Sequence, residues 1–298
     1  KSLIMSNDSI FKGSIDILSD VDELEVIRLS NHYRKKIGKL PRNLREFHSG
    51  DVFNQLIIFP DSVEIIVFGF SFNTYLEKYP ENLKLIEFGK KFESVVRIKA
   101  KIKSNHQFGS AVIIKPHWAL TAAHVVIDTE EKTILGENQE YPITKIIIHE
   151  KFEENDIGHN DIALCYSPED FKLNFYTPLY TDHNELGKQI TIAGYGSHGT
   201  FLTGAKESDG IKRAGSNVID GIEKSILICT PSTSGKTALE FMIAPGDSGG
   251  GMFIGNKLAG INSFLMAKDK KPDGTYTDES AFTRISLYAD WIEQNSKD

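Results

Sequence analysis

Two textures of hydrophobic and polar positions divide the chain. Up to about residue 93 the apolar positions recur in a unit of about 20 residues. Pro41, Pro60 and Pro80 each open a unit. A glycine follows nine residues later (Gly50, Gly69, Gly89) and a phenylalanine twelve residues later (Phe53, Phe72, Phe92). Within the units the apolar steps run Val63, Ile66, Phe68 and Leu83, Ile86, Phe88. The first unit is weaker, with Leu44 and Phe47 followed by Ser49, and a degenerate earlier one holds Leu24, Ile27, Leu29 and Tyr33. Such a unit predicts one short strand and a turn. It cannot bury its apolar side alone, so neighbours must stack. From Glu93 the period changes. Val96, Ile98, Ala100 and Ile102 alternate with Arg97, Lys99, Lys101 and Lys103, the pattern of a strand with one face in water. Strand-like runs follow at 110–114, 143–148, 161–166, 189–195, 225–228, 251–254, 257–264 and 281–285, punctuated by Gly, Asn, Asp and Pro. Many short strands with such turns predict a mostly β sandwich or barrel. The tail Leu287–Ile292 reads as a short amphipathic helix.

Composition narrows the function classes. A chain of 298 residues fits two domains, and 40% hydrophobic with 25% charged residues supports a buried core. A net charge of −7 disfavours nucleic acid, which needs a basic face. The basic cluster Arg34-Lys35-Lys36 reads as a solvated loop. No apolar run reaches the roughly 20 residues that span a bilayer, so no membrane role is expected. The cysteines, Cys165 and Cys229, are too few for a disulfide-stapled domain and read as buried free thiols. That favours a reducing, cytoplasmic setting, with a secreted bacterial protein as the alternative. Lys1 is no initiator and no signal peptide is visible, so the start reads as trimmed and export stays open.

The candidate chemistry lies in three separated phrases. A serine hydroxyl is a poor nucleophile unless a base takes its proton, an anion fixes that base, and donors meet the developing oxyanion. Gly246-Asp247-Ser248-Gly249-Gly250 offers the serine, and the amides of Gly246 and Ser248 are candidates for the oxyanion hole. Thr121-Ala122-Ala123-His124 places an imidazole beside small residues that pack closely. Asn160-Asp161-Ile162-Ala163-Leu164 sets a carboxylate at the head of an apolar strand. Asp128 and Asp156 are rivals that lead into no buried strand. Thr230-Pro231-Ser232-Thr233-Ser234-Gly235-Lys236-Thr237 ends like a phosphate-binding loop but lacks the first glycine and a following long helix. No closely spaced His/Cys cluster suggests zinc, and neither cofactor nor metal is expected.

The ordered set His124, Asp161, Ser248, within TAAH, NDIAL and GDSGG, resembles the chymotrypsin/trypsin-like serine proteases over 94–298. Phe108-Gly109-Ser110-Ala111-Val112-Ile113 resembles the family's strand before the histidine, and Gly194-Tyr195-Gly196 its Gly-Trp-Gly. Gly260-Ile261-Asn262-Ser263-Phe264 resembles the segment that pairs with a substrate backbone, and Tyr288…Trp291-Ile292 the terminal helix. The resemblance implies a double antiparallel β-barrel with the site in the cleft between barrels. It puts Met242 and Ile243 near the base of the primary pocket, Leu265 and Ser280 on its walls, and Ser263 and Phe264 along the substrate. No acid lies where trypsin-like enzymes bind Arg or Lys, and Leu265 replaces a usual glycine, so a small or medium apolar residue is expected at the cleaved position.

Two departures matter. The usual disulfides are missing, and Val125 stands where a cysteine is common. No Ile-Val-Gly-Gly sequence precedes the barrel. In trypsin a freed N-terminus pairs with the aspartate before the serine. Here either Asp247 has another partner, which is the expectation, or a cut near residue 93 switches the enzyme on. The spacing of residues 1–93 resembles leucine-rich repeats of the short FNIP type, a small solenoid that caps the next domain or binds a regulatory protein. The functional expectation is a serine endopeptidase acting on proteins or peptides. The alternatives are a silent protease-like binding module and a protease activated only by a partner or a cut.

Overall fold

The computed structural model describes residues 1–5, 21, 23–30, 33, 37–49, 57–68, 80–81, 85–87 and 92–297, apart from 137–138, 156–157, 174, 235 and 238–239. Several residues singled out above lie outside the described ones: Arg34-Lys35-Lys36, Gly50, Phe53, Gly69, Phe72, Leu83, Phe88, Gly89, Asp156 and Gly235. The chain folds as two compact units, Lys1–Glu93 and Ser94–Asp298.

The first unit contains five three-residue strands: β1 (Ser2–Ile4), β2 (Val26–Arg28), β3 (Glu46–His48), β4 (Ile65–Val67) and β5 (Leu85–Glu87). They lie parallel in chain order, with Leu3, Ile27, Phe47, Ile66 and Ile86 in register. The middle residues of β2, β3 and β4 are fully buried. Each strand completes its ladder only against the next, as chain segments this short require. The prolines set the entry turns: Leu44 N–H donates to Pro41 O at 3.2 Å and Val63 N–H to Pro60 O at 3.1 Å. Leu24, Leu29 and Tyr33 join the same buried cluster as Leu44, Val63 and Phe68, and Phe59 packs edge-on against Phe47 and Phe68. β1 has no counterpart in the sequence pattern.

The second unit is almost entirely antiparallel. Its first sheet is built from β6 (Val95–Ile102), β7 (Asn105–Lys115), β8 (Trp118–Thr121), β9 (Lys132–Leu135), β10 (Glu140–Pro142), β11 (Lys145–Ile148) and β12 (Ala163–Tyr166), in the order β10-β9-β6-β7-β8-β12-β11. A four-residue helix, α1 (Ala123–Val126), follows β8. Next come β13 (Gln189–Gly194), the small hairpin β14 (His198–Thr200) and β15 (Gly204–Glu207), then β16 (Arg213–Val218), β17 (Gly221–Glu223), β18 (Ile226–Cys229), β19 (Gly251–Ile254), β20 (Lys257–Ala267) and β21 (Asp278–Arg284). Without the hairpin they form a second sheet, β16-β13-β19-β20-β21-β18-β17. The sheets are two curled half-barrels. A 3-10 turn over Ile285–Leu287 leads into α2 (Ala289–Asn295).

Alternation along β6 is as the sequence suggests up to Ile102, which is exposed because the strand ends there at Lys103 (φ 54°). Expected strands at 143–148 and 161–166 start two residues late, because 143–144 and 161–162 belong to loops. β9, β10 and β14 to β17 were not marked by periodicity: they are short or, like Arg213-Ala214-Gly215-Ser216-Asn217-Val218, small and polar. Their pairing comes from neighbours, as for β16 along the full length of β13.

The first sheet buries Ile98, Val112, Leu120, Ile134 and Leu164. The second buries Ile190, Ile192, Leu227, Met252 and Phe282 around Ile243. Cys165 and Cys229 are buried free thiols, and burial pushes Cys165 up to about 12, far from thiolate reactivity. Glu185 is fully buried but held ionised by Arg284 through two hydrogen bonds (2.9 and 2.8 Å) and by Ser286 (2.6 Å), which fixes the turn before α2. Among the described residues no helix is long and apolar enough to cross a membrane.

Candidate active site

The imidazole is delivered by the end of β8. Ala122 and Ala123 are fully buried, and their small side chains let α1 turn tightly so that His124 emerges with its side chain 41% exposed. Its Nδ1 lies 2.8 Å from Asp161 Oδ2, and its main-chain N–H donates to Asp161 Oδ1 at 3.0 Å. Ring and backbone of one residue are thus held by one carboxylate.

Asp161 sits just ahead of β12, where Asn160 at φ 54° turns the chain; Asn tolerates this left-handed conformation. Tyr288 Oη donates to Asn160 Oδ1 (3.0 Å) and Thr283 Oγ1 to Asp161 O (2.8 Å), so the second sheet and its following turn pin the aspartate's backbone. Ser263 Oγ donates to Asp161 Oδ2 at 2.5 Å. Burial alone would raise the Asp161 carboxyl, but the hydrogen bonds and charge of His124 and the Ser263 hydroxyl outweigh it and hold the group below the usual carboxylate value. Of the rivals, Asp128 is exposed and Asp156 lies outside the described residues.

Ser248 follows a tight turn. Asp247 N–H donates to Ala244 O at 2.9 Å, and Gly246, the third residue of that turn, has φ 99°. Proline at the second position and positive φ at the third make this a type II turn, for which glycine is the natural third residue. The Pro245 carbonyl accepts from Ser197 N–H at 2.9 Å, which turns the Gly246 N–H of the same peptide the other way. Neither the Gly246 nor the Ser248 N–H has an acceptor among the described residues. The Ser248 hydroxyl donates to Ser263 O at 3.3 Å.

His124, Asp161, Ser248 and Ser263 line one cavity of about 510 Å³. Its apolar wall comes from Ile127, Phe152, Ile243, Phe264 and Leu265, with the exposed Glu153 and Glu154 also on its lining. Of the other pocket residues expected from sequence, Met242 is buried and outside the lining. Ser280 is fully buried and accepts the Ile243 N–H at 3.1 Å. Leu265 packs onto the core cluster that contains Ile243. Sequence reasoning missed Phe152, Glu153, Glu154 and Gly158, whose distance in sequence from the strand carrying Phe264 hides their place on the cleft. Lys236 of the phosphate-loop look-alike is tied to Asp220 (2.6 Å) and the Thr230 carbonyl (2.8 Å), a structural hydrogen-bonded loop. Among the described residues no three His, Cys, Asp or Glu side chains gather as metal ligands would.

Against known families, the model described as Trypsin matches residues 90–292. The chain belongs to the trypsin family. Among its relatives it is 27% identical over 213 residues to "Serine protease SSP1" of Scolopendra subspinipes, covering 62% of this chain and 72% of that protein. It is 28% identical over 206 residues to "Collagenase" of Hypoderma lineatum, covering 62% and 74%. A solved structure of neuropsin, a serine protease expressed in the limbic system of mouse brain, superposes with a TM-score of 0.55 at 18% identity, covering 67% of this chain and 94% of that one. The family match spans most of the second compact unit, and these likenesses support a peptidase.

In this trypsin-family unit Asp247 is 1% exposed, and its carboxylate accepts N–H groups from Gly196 (2.7 Å) and Ala244 (2.8 Å). Burial pushes it up to about 7, opposed by these two amides and by the charge of Arg213. Arg213 itself is engaged by Asp209 through two bonds of 2.8 and 2.7 Å. A Cβ at Gly196 would lie 2.4 Å from the Asp247 carboxylate, so the second glycine of Gly194-Tyr195-Gly196 makes room for that buried group. Gly196→Ala is expected to destabilise the fold by about 1–3 kcal/mol, the usual result of overpacking, read as a lowered melting temperature.

Proposed function

We propose that residues 94–298 form a serine endopeptidase that hydrolyses peptide bonds through an acyl-enzyme. The observation that carries this reading is the His124–Asp161 pair facing the same cavity as Ser248, beside two unpaired amides. In the reaction, rotation about the Ser248 Cα–Cβ bond moves the hydroxyl from the Ser263 carbonyl to the His124 Nε2. Ser248 Oγ attacks the substrate carbonyl carbon as Nε2 takes its proton. Asp161 holds the imidazole with its proton on Nδ1 and stabilises the imidazolium. The carbonyl π electrons move onto oxygen, where the Gly246 and Ser248 N–H groups donate to it. The imidazolium returns its proton to the leaving amine as the C–N bond breaks. Water then repeats the sequence on the ester and regenerates Ser248.

Peptide substrates are supported by the relatives bearing the names serine protease and collagenase. The apolar wall of Ile243 and Leu265 favours a small or medium apolar residue at the cleaved position. Leu265→Gly is expected to shift preference toward larger side chains by about tenfold or more, the scale of a few methylenes in an apolar pocket. A peptide-library cleavage profile of both proteins checks this, and strong preference for basic residues in the wild type contradicts it.

Residues 1–93 are read as a leucine-rich-repeat-like solenoid of the FNIP type, on the support of the five sequential parallel strands and their buried Ile27, Phe47 and Ile66. Its proposed role is to engage a regulatory protein. The direct test of the enzyme reading is labelling of Ser248 by a fluorophosphonate in the chain left uncut near residue 93. Labelling is expected, since Asp247 has its partners within the chain. Labelling that appears only after a cut or on adding a partner would favour the switched-protease reading. No labelling under any of these conditions would favour a silent binding module.

A further inference from the structure

Ser110 on β7 belongs to none of the roles above, yet every polar group it has is engaged around the nucleophile loop. It is fully buried. Its hydroxyl donates to Gly246 O at 3.0 Å and accepts the Tyr195 N–H at 3.0 Å. Its N–H donates to Ser248 O at 2.8 Å, and its carbonyl accepts the Thr121 hydroxyl at 2.8 Å. One residue of the first sheet thus joins three segments: the strand end before His124, the Gly194-Tyr195-Gly196 turn and the Gly246–Ser248 peptides.

We propose that Ser110 is a positioning residue for the oxyanion-binding turn, its buried hydroxyl holding the Gly246–Asp247 peptide by its carbonyl so that the Gly246 Cα, and the N–H attached beside it, keep their place at the cleft. This rests on the peptidase reading. A type II turn and a type I turn over the same four residues differ by a flip of the central peptide of about 180°. Glycine imposes no Cβ barrier to that flip. In the type I form the Gly246 N–H would point away from Ser248, and the site would lose a donor. Gly246 is anchored on both sides, and each anchor does a different job. Ser197 N–H holds the Pro245 carbonyl, which lies in the peptide that would flip, and Ser110 Oγ holds the Gly246 carbonyl in the next peptide, which fixes the Gly246 Cα against displacement from the cleft. The second is a side-chain contact, so it can be removed without altering any backbone group or His124, Asp161 and Ser248.

The test measures the second-order rate of fluorophosphonate labelling for wild type, Ser110→Ala and Ser110→Cys, with Ser248→Ala as the blank. Phosphonylation places the phosphoryl oxygen in the oxyanion position, so it reads the turn without knowledge of the natural substrate. Ser110→Ala is expected to label about 10- to 100-fold more slowly, the scale for losing or misplacing one oxyanion donor. Ser110→Cys, with a weaker donor in the same place, is expected to fall between, and it serves alone if the alanine variant does not fold. The pH midpoint of labelling, set by the untouched imidazole–carboxylate pair, is expected to stay at the wild-type value. Labelling of the folded variants within about threefold of wild type would overturn the proposal, as would a loss accompanied by a moved pH midpoint, since either outcome removes the turn as the seat of the effect. Absence of labelling in the wild type, whether uncut or cut near residue 93, would instead overturn the peptidase reading on which the proposal stands.

Discussion

Ser248→Ala is expected to abolish peptide hydrolysis while leaving the fold intact. The substitution removes the oxygen proposed to form the acyl-enzyme. What remains, the His124–Asp161 pair and the Gly246 and Ser248 amides, can still orient a water and an oxyanion. The fall in kcat should therefore be about 10⁶-fold, with a residual rate still above that in water. The structural cost is small. The Ser248 side chain makes a single long hydrogen bond of 3.3 Å to Ser263 O, and the backbone contacts of this residue, including Ser110 N–H to Ser248 O, are untouched. A net change of about 1 kcal/mol or less follows for losing such a bond. Hydrolysis of a peptide cut by the wild type, measured beside the thermal melt of both proteins, checks the two halves together. Persistent turnover by the alanine protein would end the assignment of Ser248 as nucleophile.

Some of this arrangement was legible in the chain, for reasons that differ from segment to segment. Ile27, Phe47 and Ile66 repeat because each sits at the middle of a strand that must bury one side chain, and a strict demand leaves a strict spacing. Even the degenerate unit before the first proline kept Leu24, Ile27 and Leu29, all of which the fold buries. Asp161 could be preferred over Asp128 because a carboxylate directly before an apolar run is carried inward with it. β16 was not legible because its Gly-Ser-Asn interior has no apolar period of its own and becomes a strand through β13.

Within the site, the local phrases were readable and the long-range ones were not. Gly246 carries its reason in the Pro-Gly order of the turn. The second glycine of Gly194-Tyr195-Gly196 carries its reason elsewhere, in the Asp247 side chain 51 positions away. The Ser110 contacts have the same character: a serine in an apolar strand looks like a tolerated small residue until its partners at 195 and 246 are brought to it. The expectation for Met242 rests on the family resemblance alone. In the fold Met242 is buried and the cavity is lined by its neighbour Ile243.

Asp161→Asn should be nearly as damaging as loss of the nucleophile, though it changes a single atom. All three groups facing the carboxylate are donors: His124 N–H toward Oδ1, and the His124 ring nitrogen and Ser263 hydroxyl toward Oδ2. An amide supplies one acceptor and one donor. The main-chain N–H has no alternative role, so the amide oxygen must take the Oδ1 position and the NH₂ the Oδ2 position. The ring can answer only by moving its proton from Nδ1 to Nε2. The imidazole then presents N–H instead of a lone pair to Ser248, and the base is gone. A drop in kcat of about 10⁴-fold is expected, with KM little changed because the cavity walls are untouched. Stability supplies a second readout. The Asp161 carboxyl is held below its ordinary value in the folded protein. Its ionised form therefore contributes stability above the unfolded value of roughly 3.9, and that contribution is lost as pH falls through the folded value. The asparagine protein has no such group, so the gap in melting temperature between the two proteins should be widest near neutrality and narrow on acidification. A variant within about tenfold of wild-type kcat, or a gap that does not narrow in acid, would show that Asp161 neither fixes the imidazole tautomer nor draws on its charge.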